Sequence, residues 1–141
     1  MKPNKKPILK MKTLLATLTC ALFASVAFAG EYPDISIAEL EKAIKDGEVV
    51  LLDVNGSKSY AKGHIPGAVD FRSDKTDLAA ALGDDKDKLV VAYCGGPSCS
   101  AYKAGASAAE KAGFKNIKHL SAGISGWLQA GKPTEKADTE G

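Results

Sequence analysis

Apolar residues in this chain gather into short runs separated by glycine-bearing turns, and the spacing within each run distinguishes strand from helix. Residues 48–54 (EVVLLDV) and 89–93 (LVVAY) are nearly unbroken runs rich in β-formers, without the alternation of a strand that faces water on one side. Both are expected to be strands buried on both faces, and shorter strands are expected at 68–71 and 116–120. Ser36-Ile37-Ala38-Glu39 reads as a capping box, with Ile37, Leu40 and Ile44 on one helical face and Gly47 as the stop. Residues 57–62 predict one or two helical turns, and Gly63-His64-Ile65-Pro66-Gly67-Ala68 is turn chemistry. Ser73 or Asp74 is expected to cap a helix running to Leu82, before Gly83 and a solvated charge cluster at 84–88. Residues 100–111 are alanine-rich and predict a helix despite Gly105, with Gly113 at its C-cap. A last helix over 123–130 carries Trp127, read as core, and Gly131-Lys132-Pro133 ends it. Strands alternating with helices predict an α/β domain with a mainly parallel sheet flanked by helices on both faces.

The first 29 residues stand apart from this pattern. They hold five lysines, no acid and an apolar core from Leu14 to Phe28, ending in Ala27-Phe28-Ala29 before Gly30. This is the composition of a secretory signal peptide, and the apolar stretch is shorter than the roughly 20 residues of a spanning helix. Cleavage near Ala29-Gly30 is expected, with a periplasmic or secreted domain and no stable membrane insertion afterwards. Thr17-Leu18-Thr19 before Cys20 is a poor lipobox, and Met11 is an alternative start that leaves the signal complete. The remaining 112 residues divide into a domain at 30–133 and a polar tail at 134–141, expected to fray. The whole chain has 19 basic and 17 acidic residues; without the five lysines the balance is 14 against 17, a formal charge of −3. Nothing basic remains to suggest nucleic acid.

Candidate chemistry centres on residues 94–99, CGGPSC, between the strand ending at 93 and the alanine-rich helix. Ligands of parallel sheets bind beyond the carboxyl ends of strands, where Cys94 falls. A helix N-terminus leaves amide N–H groups unpaired and carries about half a positive charge, so a thiolate there is stabilised and nucleophilic. Gly95 and Gly96 let successive N–H groups curl inward as an anion-binding nest; Pro97 stiffens the loop and has no N–H. Cys20 leaves with the signal peptide, so the exported domain keeps Cys94 and Cys99, which an oxidising compartment allows to pair. Asp53, near the end of its strand, reads as a hydrogen-bonding anchor ahead of a catalyst. His64 reads as a turn residue and His119 as a strand residue, so no metal site and no zinc is expected.

Three segments together resemble a rhodanese domain. Leu52-Asp53-Val54 with Gly63-His64-Ile65-Pro66-Gly67-Ala68 is similar to the family's Asp-Val-Arg and Gly-His-Ile-Pro-Gly-Ala signatures. The strand and loop holding Cys94 form the second segment. Gly123-Ile124-Ser125-Gly126-Trp127, then Ala130-Gly131-Lys132-Pro133, resembles the terminal Gly-Gly-x-x-x-Trp and Ala-Gly-x-Pro pattern. The resemblance implies a single-domain, exported sulfurtransferase in which Cys94 carries sulfane sulfur as a persulfide. A small donor such as thiosulfate supplies the sulfur and a thiol, protein thiol or cyanide removes it, with no cofactor. It also implies a cradle made by the backbone N–H groups of Gly95, Gly96, Ser98, Cys99 and Ser100.

Departures from the family pattern open other readings. Asn55 stands where the family has an arginine, and residues 95–100 hold no Arg or Lys, which weakens the case for an anionic donor. Pro97 replaces a common glycine. Related phosphatases and arsenate reductases place an Arg six residues after the Cys; here that position is Ser100. Cys99 has three readings: partner in a disulfide that makes the protein a redox or disulfide-locked one, resolving thiol for a Cys94 persulfide, or a small buried residue in place of Ser or Thr. A non-enzymatic sulfur- or metal-binding partner module is a further alternative.

Overall fold

The computed structural model describes residues 31–137. The expected signal peptide and the last four residues of the expected tail lie outside the described residues. Four strands form one all-parallel sheet: β1 (Val49–Asp53), β2 (Val69–Asp70), β3 (Leu89–Tyr93) and β4 (Ile117–Leu120), in spatial order β2-β1-β3-β4. In register, Val49 to Asp53 lie opposite Leu89 to Tyr93, so the two strands read as doubly buried pair at the centre. Successive side chains then serve two cores. Val50, Leu52, Val90 and Ala92 pack under α3 (Leu78–Leu82) and α4 (Tyr102–Lys111). Leu51, Val91 and Tyr93 face α1 (Ile37–Lys45), α5 (Gly123–Gln129) and Tyr60 of α2 (Ser57–Lys62), with Leu40 and Trp127 at the centre of that layer. The architecture is the expected α/β sheet with helices on both faces.

Local chemistry accounts for the element ends. Ser36 Oγ accepts from the Glu39 N–H at 3.2 Å and the Glu39 carboxylate accepts from the Ser36 N–H at 3.0 Å, the reciprocal capping box. These bonds hold the Glu39 carboxyl below its usual range. The helix before β3 departs from expectation. It begins only at Leu78, capped by Asp77, whose carboxylate accepts from the Ala80 N–H at 3.1 Å. Asp70 and Ser73 are turn formers instead: their side chains accept from the N–H groups of Arg72 and Lys75, and the Thr76 hydroxyl donates to the Asp70 carbonyl. Side chains that satisfy neighbouring N–H groups in a turn remove the incentive to start a helix.

The polar segment after Pro133 does not begin by fraying. His64 and Glu135 exchange two backbone hydrogen bonds of 2.9 Å, and the indole of Trp127 donates to the Pro133 carbonyl at 2.7 Å. His64 is buried and stacked on Tyr60, with ring centroids 3.7 Å apart. It is the turn residue expected, and it also clasps the C-terminal segment. Among the described residues no helix is long and apolar enough to cross a membrane.

Gly105 costs α4 helix propensity because its packing requires it. A Cβ there would lie 3.0 Å from Val54 Cγ2 and 3.6 Å from both Ala92 Cβ and Leu52 Cδ1. The helix therefore rests with its backbone against the sheet. Gly105→Leu gains about 1 kcal/mol of helix propensity but overpacks this contact by about 1–3 kcal/mol or more. The expected outcome is a lower urea midpoint than wild type; an unchanged or higher midpoint contradicts the packing account.

Candidate functional site

Cys94 directly follows β3 and is almost wholly buried, 3% exposed. The loop behind it folds back on itself: the Cys99 N–H donates to the Gly96 carbonyl at 3.0 Å, closing a four-residue turn with Pro97 at its second position. Proline's fixed φ suits that position. The turn returns Cys99 to Cys94, their Cα atoms are 6.2 Å apart, and the two are joined in a disulfide. Of the sequence readings of Cys99, this is the pairing that the structure contains.

The turn also revises the expected amide cradle. The Cys99 N–H is consumed inside the turn and is unavailable to a ligand. The N–H groups of Gly95, Gly96, Ser98 and Ser100 have no acceptor among the described residues. The α4 helix starts at Tyr102, two residues later than expected, and Ala101 at its N-cap is helical with no side-chain cap. The N–H groups of Lys103 and Ala104 are spent on the Ser100 and Ala101 carbonyls, each at 3.1 Å, so of the first helical turn only the Tyr102 N–H lacks an acceptor among the described residues.

The loop is held from the opposite side by the start of α5. The N–H of Ile124 donates to the Cys94 carbonyl at 2.9 Å, and that of Ser125 to the Gly95 carbonyl at 3.0 Å. Such an approach needs glycine. Gly123 has φ +60°, and a Cβ on it would sit 2.5 Å from the Gly96 nitrogen and 2.7 Å from the Cys94 oxygen. A Cβ on Gly96 would meet Ser125 Oγ at 2.8 Å. Nothing in the periodicity of residues 123–130 announces this clamp.

Asp53 is an anchor. Its carboxylate accepts from the Tyr93 hydroxyl at 2.6 Å and the Asn55 N–H at 2.8 Å, and the Tyr93 oxygen accepts from the Ile65 N–H at 3.0 Å. The network ties the end of β1 to the end of β3 and to the turn at Ile65, and Asp53 does not line the cavity beside Cys94. Burial pushes the Asp53 carboxyl above its ordinary value, against the lowering effect of these hydrogen bonds. Burial and the Asp53 charge push the Tyr93 hydroxyl up as well.

A cavity of about 200 Å³ opens beside Cys94, between the loop, the start of α4 and the end of β4. Besides the loop residues it is lined by Tyr102, Lys103, His119, Leu120 and Ser121, five residues that sequence reasoning did not place at the site. The available signal was positional. A side chain in the first turn of a helix leans toward the N-terminus, so Lys103 folds back over the loop. His119 is on β4 as expected; its ring stacks on Tyr102 at 4.2 Å between centroids, and its Nδ1 lies 2.8 Å from the Tyr32 carbonyl. A carbonyl only accepts, so Nδ1 carries the hydrogen. Asn55 lies across the loop, lining a separate cavity with Lys62 and Leu128. Among the described residues no group of three or more His, Cys, Asp or Glu side chains is arranged to hold a metal ion.

A parallel sheet with a cysteine loop at the carboxyl end of its central strand defines the class, and comparison with known proteins agrees. The family model for the rhodanese-like domain matches residues 36–130, and the chain belongs to that family. A helix-turn-helix transcriptional regulator of Mycobacterium tuberculosis is 37% identical over 103 residues, 72% of this chain and 44% of its own. A tRNA uridine(34) hydroxylase of Hamiltonella defensa is 33% identical over 112 residues, 75% of this chain. The chain spans less than half the length of either relative, 44% and 30%. Among solved structures, a thiosulfate sulfurtransferase from Pseudomonas aeruginosa superposes with a TM-score of 0.62 at 25% identity, covering 77% of this chain and 21% of that one.

Two outcomes test the geometry. Gly123→Ala forces the start of α5 away from the Cys94 loop and is expected to lower unfolding free energy by about 2–4 kcal/mol in urea titration, the scale of strain at a special backbone position. A change within about 0.5 kcal/mol contradicts the clamp. For Asp53 the folded carboxyl holds its proton more tightly than the unfolded one, so its contribution is full below the ordinary value of 3.8 and is lost as pH rises through the raised one. Stability of Asp53→Asn relative to wild type is therefore expected to improve as pH rises above the ordinary value of 3.8. A difference independent of pH, or one moving the other way, contradicts the assignment.

Proposed function

We propose that the chain is a sulfurtransferase that carries sulfane sulfur on Cys94 in the reduced state. The observation that carries this reading is the surroundings of Cys94: a buried sulfur bordering a small cavity, at the head of α4, in a loop with several uncommitted N–H groups. Those groups favour a thiolate over a thiol and an anionic persulfide over a neutral one. The resemblance in fold to a thiosulfate sulfurtransferase supports the same chemistry.

The disulfide makes reduction the first step. An external dithiol opens the Cys94–Cys99 bond and is itself oxidised to a disulfide, leaving both cysteines reduced. The Cys94 thiolate then attacks the outer sulfur of a donor such as thiosulfate. The donor S–S bond breaks, sulfite leaves with its electron pair, and a Cys94 persulfide anion remains. Transfer ends in one of two ways. An acceptor thiolate or cyanide takes the terminal sulfur and frees the Cys94 thiolate, or the persulfide takes a proton from water, the Cys99 thiolate attacks Cys94 Sγ, hydrosulfide leaves with the S–S electron pair, and the disulfide re-forms. The second route is favoured by the turn that already brings Cys99 to Cys94. It joins sulfur transfer to the thiol–disulfide reading, which differs only in taking the cysteine pair as the whole activity. An exported domain, as the first 29 residues suggest, would meet the oxidising surroundings in which such a disulfide persists.

Intact-mass spectrometry before and after incubation of the reduced protein with thiosulfate tests the reading. A gain of one sulfur, about 32 Da, that reductant removes and Cys94→Ser lacks is the expected result. Cys99→Ser is expected to lengthen the persulfide lifetime, whereas an equal lifetime removes Cys99 from the cycle. No mass gain in the reduced wild type, with thiosulfate or any other sulfane donor, would leave the redox reading in its place.

A further inference from the structure

The cavity beside Cys94 contains one fixed charge, and that charge is positive. Lys103 lines it from the first turn of α4, while no carboxylate does. Asp34 approaches the rim only through Ser121, and both its oxygens are occupied there: they accept from the Ser121 N–H and hydroxyl, each at 2.8 Å. Like most lysines of the described residues, Lys103 has no ion-pair partner there; what sets it apart is its place at the cavity. Around it, the Gly96, Ser98 and Ser100 N–H groups likewise lack an acceptor among the described residues. Lys103, an exposed residue at the mouth, and several uncommitted amide donors thus border one small space, and these are the groups that bind an oxyanion.

We propose that Lys103 is the specificity-determining residue of this chain: it selects a small anionic sulfur donor by holding the oxyanion end against the loop amides while the sulfane sulfur meets Cys94. The inference rests on Cys94 as the sulfur carrier and names what that site accepts. It answers the objection raised by the sequence. The position after Val54 is Asn55, which lines a different cavity across the loop, so the cation missing there is supplied from the α4 side. Size limits the donor too. About 200 Å³ is room for about six water molecules, which suits a donor of a few heavy atoms. His119, held by the Tyr32 carbonyl and stacked on Tyr102, forms a rigid wall opposite Lys103's helix and keeps that volume small.

Binding can be read without turnover. In the reduced protein, sulfate is expected to slow alkylation of Cys94 by uncharged iodoacetamide, followed by peptide mass, beyond the effect of chloride at equal ionic strength. Lys103→Ala is expected to raise the half-protecting sulfate concentration about tenfold or more, and Lys103→Arg to restore most of it. The same substitution is expected to raise the thiosulfate concentration for half-maximal sulfur loading by a similar factor. Reaction with a neutral organic trisulfide, in which Cys94 attacks the central sulfur, one thiolate leaves and a Cys94 mixed trisulfide forms, is expected to stay within about twofold. Equal protection in Lys103→Ala and wild type, or no protection by sulfate in the wild type, overturns the proposal. Equal losses with the charged and neutral donors overturn it too, because a merely structural role would impair both. Protection that depends on Lys103, in a protein whose Cys94 takes up no sulfur, would retain the anion site and reject the persulfide reading.

Discussion

Two carbonyl oxygens, those of Cys94 and Gly95, are fixed by N–H groups from the first turn of α5, and the geometry of the site follows from that contact. A trans peptide points its C=O and N–H in opposite directions. Holding the two carbonyls toward α5 therefore turns the N–H groups of Gly95 and Gly96 away from it. The contact exists because residues 96 and 123 have no Cβ: a methyl group at either would strike the other segment at 2.5–2.8 Å. A loop that would otherwise satisfy its own amides in a turn is left with several of them uncommitted. Only the Gly96–Cys99 pair is closed internally.

That one closed turn has a separate consequence. It spends the N–H of Cys99 and places its sulfur on Cys94, so the same loop offers a disulfide and an anion nest. The two uses alternate, because a bonded Cys94 has no nucleophile to offer. In the proposed function, redox state thereby sets whether the cavity faces a reactive thiolate or an inert bridge. Beneath the loop, the Tyr93–Asp53 pair joins the carboxyl ends of the two central strands and the turn at Ile65. Burying a carboxylate is costly unless it is bonded, and here its hydrogen bonds fix the end of the sheet from which Cys94 projects.

Much of the framework was legible in the chain. The doubly buried strands, the capping box, the helix around Gly105, the parallel order and the position of Cys94 after β3 all follow from short-range pattern, because each depends on residues within a few positions of one another. The reading failed where two local options competed or a distant segment intervened. Ser73 could cap a helix or close a turn, and the turn won. Glu135 lies in the polar tail that sequence predicts from residue 134, yet its backbone is paired with His64. Cys99 was counted among the amide donors, although its N–H closes the turn that makes its sulfur useful.

What residue type and spacing determined by themselves was the fold class and the place of Cys94 after its strand: a β-rich run, a cysteine, two glycines and an alanine-rich helix give that order of elements in almost any surroundings. Tertiary structure decided the rest of the site. Residues 103, 119 and 121 share a cavity with Cys94 only because α4 starts where β4 ends, at the same edge of the sheet, and α5 clamps the loop from a position about thirty residues away. Helical and strand periods record which face of an element is buried. They carry no information about which ends of separate elements converge, and that convergence is set by packing across the sheet.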